Sequence, residues 1–420
     1  MLLPLTSAFS NGQPERVTDL CDPLEFFCAD SLQDPYPLYD RLRAAGPVHR
    51  VGTSAFYVVP DWAAVEDAIA RVDDFSSNLT ATMVYDPDGS VTSFDMDSLG
   101  GPTHVLATAD DPDHAVHRRY VVAQLAAKRI RAAESFVTDT SESLWREGVH
   151  DGRIEWMSSV ANRLPMMVVA RLIGVPDDDV DQLVAWSYAT TQILNGVVSA
   201  DELAAAGTAA FELASYIATH FDRAATEPQD NLLGDLATAV ASGELSTVAA
   251  LTMMITLFAA GGESTASLIG NAAWILADRT DVQRQVRENP GLLDAFIEET
   301  LRFEPPFRGH YRHVRVDTTL GGTAVPADSH LLLLWGAANR DPTQFDSPNE
   351  FRLDRTQPKR HMTFGKGAHF CVGAALARLE ARIVLDMLLE HTEHVELITA
   401  GQWLPSVMMR RRESLELAVR

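Results

Sequence analysis

Apolar residues recur along most of this chain every three to four positions, the spacing of one helix face, and alternate only in short stretches. DPYPLYDRLRAAGPV, from Asp34, predicts a short helix stopped at Gly46-Pro47. VHRV and AFYVVP, between 48 and 60, predict two strands joined by a turn. DWAAVEDAIAR places Asp61 as an N-cap before a helical run. Residues 76–110 lack periodicity and are rich in Ser, Thr, Asp and Gly, so they predict a long loop of the kind that often carries function. One or two helices follow from His114, then others near 158–173, 177–195, 201–226 and 230–241, with Pro-Asp at 176 and Ser-Ala-Asp-Glu at 199 as starts.

The longest helical pattern runs from about Leu245 to Arg279, roughly 50 Å at 1.5 Å per residue. Its TMMITLFAA stretch is apolar nearly all round, which predicts a helix crossing the interior. Helices continue through 281–303. Residues 304–335 predict short strands around the LGG turn at Leu320, and 337–370 read as loop. VGAALARLEARIVLDMLLEHT, from Val372, is an amphipathic helix, and VELITA and ESLELAVR close the chain as strands. Residues 1–30 read as irregular. Without repeats or linkers, the pattern predicts one domain over 1–420, mainly α with a small β component.

Charge narrows the partners. With 34 basic and 58 acidic side chains the net charge is -24, which repels nucleic acid and anionic membranes but leaves room for docking on a local basic patch. The start, MLLPLTSAFSNGQPER, has neither a basic segment nor a long apolar run, so no signal peptide or membrane anchor is expected and a cytoplasmic location is. Three cysteines, Cys21, Cys28 and Cys371, make no disulfide framework; the first two read as free thiols.

Cys371 is the candidate for chemistry. It ends a glycine-punctuated loop, FGKGAHFCVG (364–373), directly before a helix. Gly365 and Gly367 permit a tight turn, and backbone N–H groups with the positive end of the helix would stabilise a thiolate. A lone buried Cys is more often a small hydrophobe. A zinc site from His361, His369 and Cys371 lacks a fourth ligand at standard spacing. All ten residues together resemble the cysteine-loop signature of the cytochromes P450, and the resemblance extends from about Asp34 to the end, closest to soluble bacterial members. It implies the P450 fold, a heme b cofactor, Cys371 as axial iron ligand on the proximal side, Phe364 and Gly365 against the heme, and His369 on a heme propionate.

Three further segments carry the resemblance. EETLRFEPP places Glu299 and Arg302 on one helix face. A solvated ion pair is the plain reading; the family reading is the Glu-x-x-Arg brace, with Arg355 or His361 as third partner and His361 preferred, because PNEF carries Glu350 where the family often has Arg. AAGGEST (259–265) sets two glycines and an acid inside the apolar helix. It is similar to the oxygen-activation motif, implying Ala260 and Gly261 over the heme face, a glycine kink or groove for O2, and Glu263, Ser264 and Thr265 as the catalytic, proton-delivering set, with Ser264 in the usual Thr position. DPDHAVHRR places His114 and Arg118 four apart on one helix face, and Arg312 follows the Glu-x-x-Arg helix; by resemblance all three hold propionates.

The resemblance implies a monooxygenase that inserts one atom of O2 into an apolar or mixed-polarity organic substrate. Peroxide-driven oxidation and a non-catalytic heme-thiolate sensor stand as alternatives. Electrons would come from a ferredoxin and its NAD(P)H-dependent reductase, docked on a proximal area holding Lys359, Arg360, Lys366 and Arg378, with Arg118, Arg119, Lys128 and Arg129 nearby. Substrate contacts are expected from 78–104, 186–198, Met253–Ala260 and the strand after Pro306, a set containing Met83, Tyr85, Phe94, Met96, Trp186 and Phe307. A monomer is expected.

Overall fold

A computed structural model describes residues 20–96, 103–176 and 180–420. The expected irregular start through residue 19, residues 97–102 of the expected loop and the helix start at Asp177 lie outside them. Within the expected irregular segment, Leu20–Cys21 is a strand, Pro23–Phe27 is a short helix and a second short helix, Ala29–Gln33, begins.

The central feature is the helix Thr247–Asp278, begun by the Ser246 side chain accepting from the Ala249 N–H. It passes the length and hydropathy requirements of a membrane span, yet it is the core of this protein. It packs against the helices Arg163–Ile173, Val180–Thr191, Ala200–Thr226, Leu293–Phe303 and Ala374–Glu390. Its apolar surface meets these helices, and from Ala266 to Ala273 every residue is buried. The glycines do not break it: a Cβ on Gly261 would lie 2.9 Å from Val169 Cγ2, and one on Gly262 would lie 2.5 Å from Met166 Cε. Their smallness lets Arg163–Ile173 approach the central helix.

The β component sits to one side. A six-stranded mixed sheet runs in the order Leu20–Cys21, His49–Val51, Phe56–Val59, His330–Leu333, His310–Val314, Phe75–Ser76. Val395–Ala400, Leu415–Val419 and Arg153–Glu155 form a second sheet. The expected loop over 76–110 contains a hairpin instead, Ala81–Tyr85 against Val91–Asp95. Its inner residues Ala81, Thr82 and Met83 are buried while its second strand stays half exposed, so no clean alternation marked it in the sequence.

Candidate functional site

The loop before the last long helix is built by backbone geometry. Gly365 and Gly367 adopt φ of 67° and 66°, a left-handed conformation costly for any residue with a Cβ. The Gly365 N–H donates to the Met362 carbonyl at 2.7 Å and the Cys371 N–H to the Phe364 carbonyl at 2.8 Å. The loop delivers Cys371 just ahead of Gly373, the N-cap of Ala374–Glu390. The Cys371 side chain is partly buried and opens onto a cavity. Burial pushes its pKa up, opposed by the Gly373 and Ala374 N–H groups and by Arg118 and Arg378.

The cavity holds about 1570 Å³ of empty space, part of it open to solvent. Cys371, Phe364, Gly365 and Val372 of the cysteine loop line it together with Ala260, Gly261, Ser264 and Thr265 of the central helix. Phe364 carries the Arg378 guanidinium 4.4 Å above its ring. His114, Arg118, Arg312 and His369 line the same cavity, so every expected cofactor residue meets in one place. The His114 and His369 rings lie 4.1 Å apart, and the Arg118 guanidinium donates to the Phe370 carbonyl at 2.8 Å.

These polar groups fit a flat, mostly apolar cofactor with carboxylates at one edge. Arg312 is buried and donates to the Tyr311 carbonyl, with no carboxylate in ion-pair contact among the described residues. Burial lowers its pKa to about 10. An enclosed guanidinium is costly unless an anion meets it. The His369 Nδ1 is likewise buried with no hydrogen-bond partner. Burial, then His114 and Arg312, hold the His369 pKa down to about 4, so its imidazole is a neutral donor.

Of the expected acid-hydroxyl set, Ser264 and Thr265 reach the cavity, and the Ser264 hydroxyl donates back to the Ala260 carbonyl. Glu263 is 1% exposed and faces elsewhere. The Arg411 Nε donates to one carboxylate oxygen at 3.0 Å and the Thr191 hydroxyl to the other at 2.6 Å. Arg411 also stacks over Tyr188. Nothing in the sequence near Glu263 pointed to Arg411, 148 residues away.

The third partner of Glu299 and Arg302 is Arg355, not His361. The Arg355 Nε donates to both Glu299 oxygens, at 2.9 and 2.8 Å, and Arg302 meets them through its Nε and Nη2. His361 binds Glu298 at 3.0 Å, and Arg378 completes that second cluster. The departure at Glu350 is harmless, since both arginines use its backbone carbonyl. Three expected substrate contacts do not line the cavity: Met83 is fully buried, Tyr85 stacks on Phe27, and the Trp186 indole donates to Glu212. Phe307 does line the cavity, with Leu106, Val169, Thr256 and Leu257. His310, Trp335 and Glu380 also line it and were not singled out in the sequence.

A single thiol facing an apolar cavity edged by arginines and histidines, inside a helical fold, defines the class of heme-thiolate proteins. The chain belongs to the cytochrome P450 family. The family model described as Cytochrome P450 matches residues 219–398. Cytochrome P450 144 of Mycobacterium tuberculosis is 65% identical over 412 residues, 98% of this chain and 95% of that protein. Among solved structures, CYP164A2 of Mycobacterium smegmatis superposes with a TM-score of 0.84 at 28% identity, covering 94% of this chain and 99% of that one. CalO2 gives 0.84 at 27%, covering 96% and 99%. The chain is therefore a P450 monooxygenase with the P450 fold, of a family whose members bind heme b.

Proposed function

We propose that the Cys371 thiolate would hold heme b through its iron, and that this single-domain, monomeric, cytoplasmic enzyme inserts one atom of O2 into an apolar or mixed-polarity small organic substrate, using electrons from a ferredoxin and its NAD(P)H-dependent reductase. The observation that carries the reading is the position of the Cys371 thiol on a cavity that Ala260, Gly261, Ser264 and Thr265 of the central helix also line. When bound, heme supplies the activation of O2 and the oxidising power.

The residues divide that work. The Gly373 and Ala374 N–H groups, with Arg118 and Arg378, favour negative charge on the Cys371 sulfur against burial. Arg312, Arg118, His114 and His369 hold the two propionates, the arginines by charge and His369 as a neutral donor. Phe364 and Gly365 wall the proximal side, and Ala260 and Gly261 keep the distal wall low. Proton supply falls to Glu263, Ser264 and Thr265. Because both Glu263 oxygens are engaged, delivery requires its release from Thr191 or Arg411. The Ser264 hydroxyl, now donating to Ala260, must turn toward the cavity to act. Leu106, Val169, Leu257 and Phe307 favour apolar parts of a substrate, and Thr256 offers one hydroxyl. The staged acid and hydroxyls favour O2 over peroxide as oxidant.

The test is the carbon-monoxide difference spectrum of the reduced protein, with Cys371→Ala as control. A strongly red-shifted Soret band that vanishes in the variant is expected. A band unchanged by the substitution overturns the ligand assignment. NAD(P)H consumption with ferredoxin, reductase and a spin-shifting ligand then separates the monooxygenase from a sensor.

A further inference from the structure

The strand His310–Val314 brings one more polar side chain to the cavity. Positions 310 and 312 are two apart, so His310 and Arg312 share one face of the strand. The neighbouring strand pairs Leu333 with His310 and Leu331 with Arg312, and the chain continues two residues past Leu333 to Trp335. The Trp335 indole Nε1–H donates to the His310 Nδ1 at 2.6 Å. An indole nitrogen only donates, so Nδ1 carries no proton and the ring proton sits on Nε2.

We propose that His310, held in this single tautomer by Trp335, is a fifth donor to the heme propionates beside Arg312, His369, His114 and Arg118; this rests on the heme-thiolate reading above. Four observations meet here. His310 and Trp335 both line the cavity that holds Cys371. The Trp335 bond covers one ring nitrogen and leaves Nε2–H as the group available to it. His310 lies within the electrostatic reach of both Arg312 and His369, which places it at the cationic edge where carboxylates belong. Burial, then those two neighbours, lower its pKa to about 3, so the ring stays neutral at physiological pH. Two arginines already balance two carboxylates in charge. A neutral donor adds a hydrogen bond to a propionate without adding an uncompensated charge to an enclosed site. Phe307, with its ring centroid 4.9 Å from that of His310, limits the rotations open to the imidazole.

The experiment compares wild-type holoprotein with His310→Leu, His310→Gln and Trp335→Phe. Two quantities are read: the rate of heme transfer to excess apomyoglobin and the ferric/ferrous midpoint potential. His310→Leu is expected to speed heme loss by about tenfold, the scale of one hydrogen bond to a charged group. It should also lower the potential, because a propionate less neutralised favours the ferric state. His310→Gln, which keeps an N–H donor, should restore most of both, and Trp335→Phe should fall between because its donor is free to turn away. Should His310→Leu fold poorly, the last two variants decide the matter. Wild-type heme loss and potential in all three variants overturn the assignment, as does a change confined to substrate-induced spin shifts, which would place His310 on the substrate. A wild-type protein without the red-shifted band would overturn both readings; unchanged variants with that band present would overturn this one alone.

Discussion

Glu299 is 1% exposed and receives donors from two arginines, Arg302 on its own helix and Arg355 from the loop beyond. A carboxylate this enclosed tolerates no loss of a cation, because the remaining charge has no water to turn to. Arg355→Ala is expected to cost about 3 kcal/mol, read as a lowered urea midpoint with the red-shifted band retained in the folded fraction. Stability equal to wild type would show that Arg302 alone suffices. One step along the helix, Glu298 points about 100° away and meets His361 and Arg378. That single rotation explains why His361 was legible as a partner of the helix yet misassigned to the wrong acid.

Among elements, the helices Leu293–Phe303 and Ala374–Glu390 are joined by the Glu298–Arg378 pair, with His361 closing it from the cysteine loop side. Burial pushes the Glu298 pKa up, but His361 and Arg378 outweigh it and hold the carboxyl at about 2, against 4.5 unperturbed. The folded value is the lower one, so the carboxylate stabilises the fold fully above pH 4.5 and this contribution disappears as pH falls toward 2. That amounts to about 3 kcal/mol. Glu298→Gln should therefore be less stable than wild type by that order at pH 7 in urea titrations, with the gap closing across the acid window. A gap that stays constant from pH 7 to pH 3 would refute the linkage. The same junction positions Cys371, since Ala374–Glu390 begins three residues after it.

At the scale of the whole molecule, a chain of net charge -24 would meet the proposed ferredoxin on a local patch. The patch is narrower than the sequence suggested. Arg119 pairs with Glu244, Arg129 with Asp230, Lys366 with Glu66 and Arg378 with Glu298. Lys359 and Lys128 remain exposed, and exposed Phe370 lies beside Arg118 on the cysteine loop. Lys359→Glu is expected to raise the KM for ferredoxin several-fold, most at low ionic strength, without changing the carbon-monoxide spectrum. A KM unchanged at every salt concentration would remove Lys359 from the docking face.

The sequence alone determined the family, the long core helix and the cysteine loop, because these depend on local rules. Periodicity is read along one segment, and Gly365 and Gly367 are required by their own backbone angles. Through the resemblance their motifs carry it also led to the expectation that Arg312, Arg118, His114 and His369 share one site, and all four line one cavity. Tertiary structure decided what depends on partners distant in sequence. Arg411 reaches Glu263 across 148 residues and Arg355 reaches Glu299 across 56, and the Trp335–His310 bond ties the strand His310–Val314 to the helical turn that follows the neighbouring strand. Likewise, Gly261 and Gly262 serve the approach of Arg163–Ile173, a neighbour that no pattern within their own helix reveals. Side-chain chemistry can be read one residue at a time, whereas charge pairing, tautomer and close packing are fixed by whichever atoms the fold sets opposite.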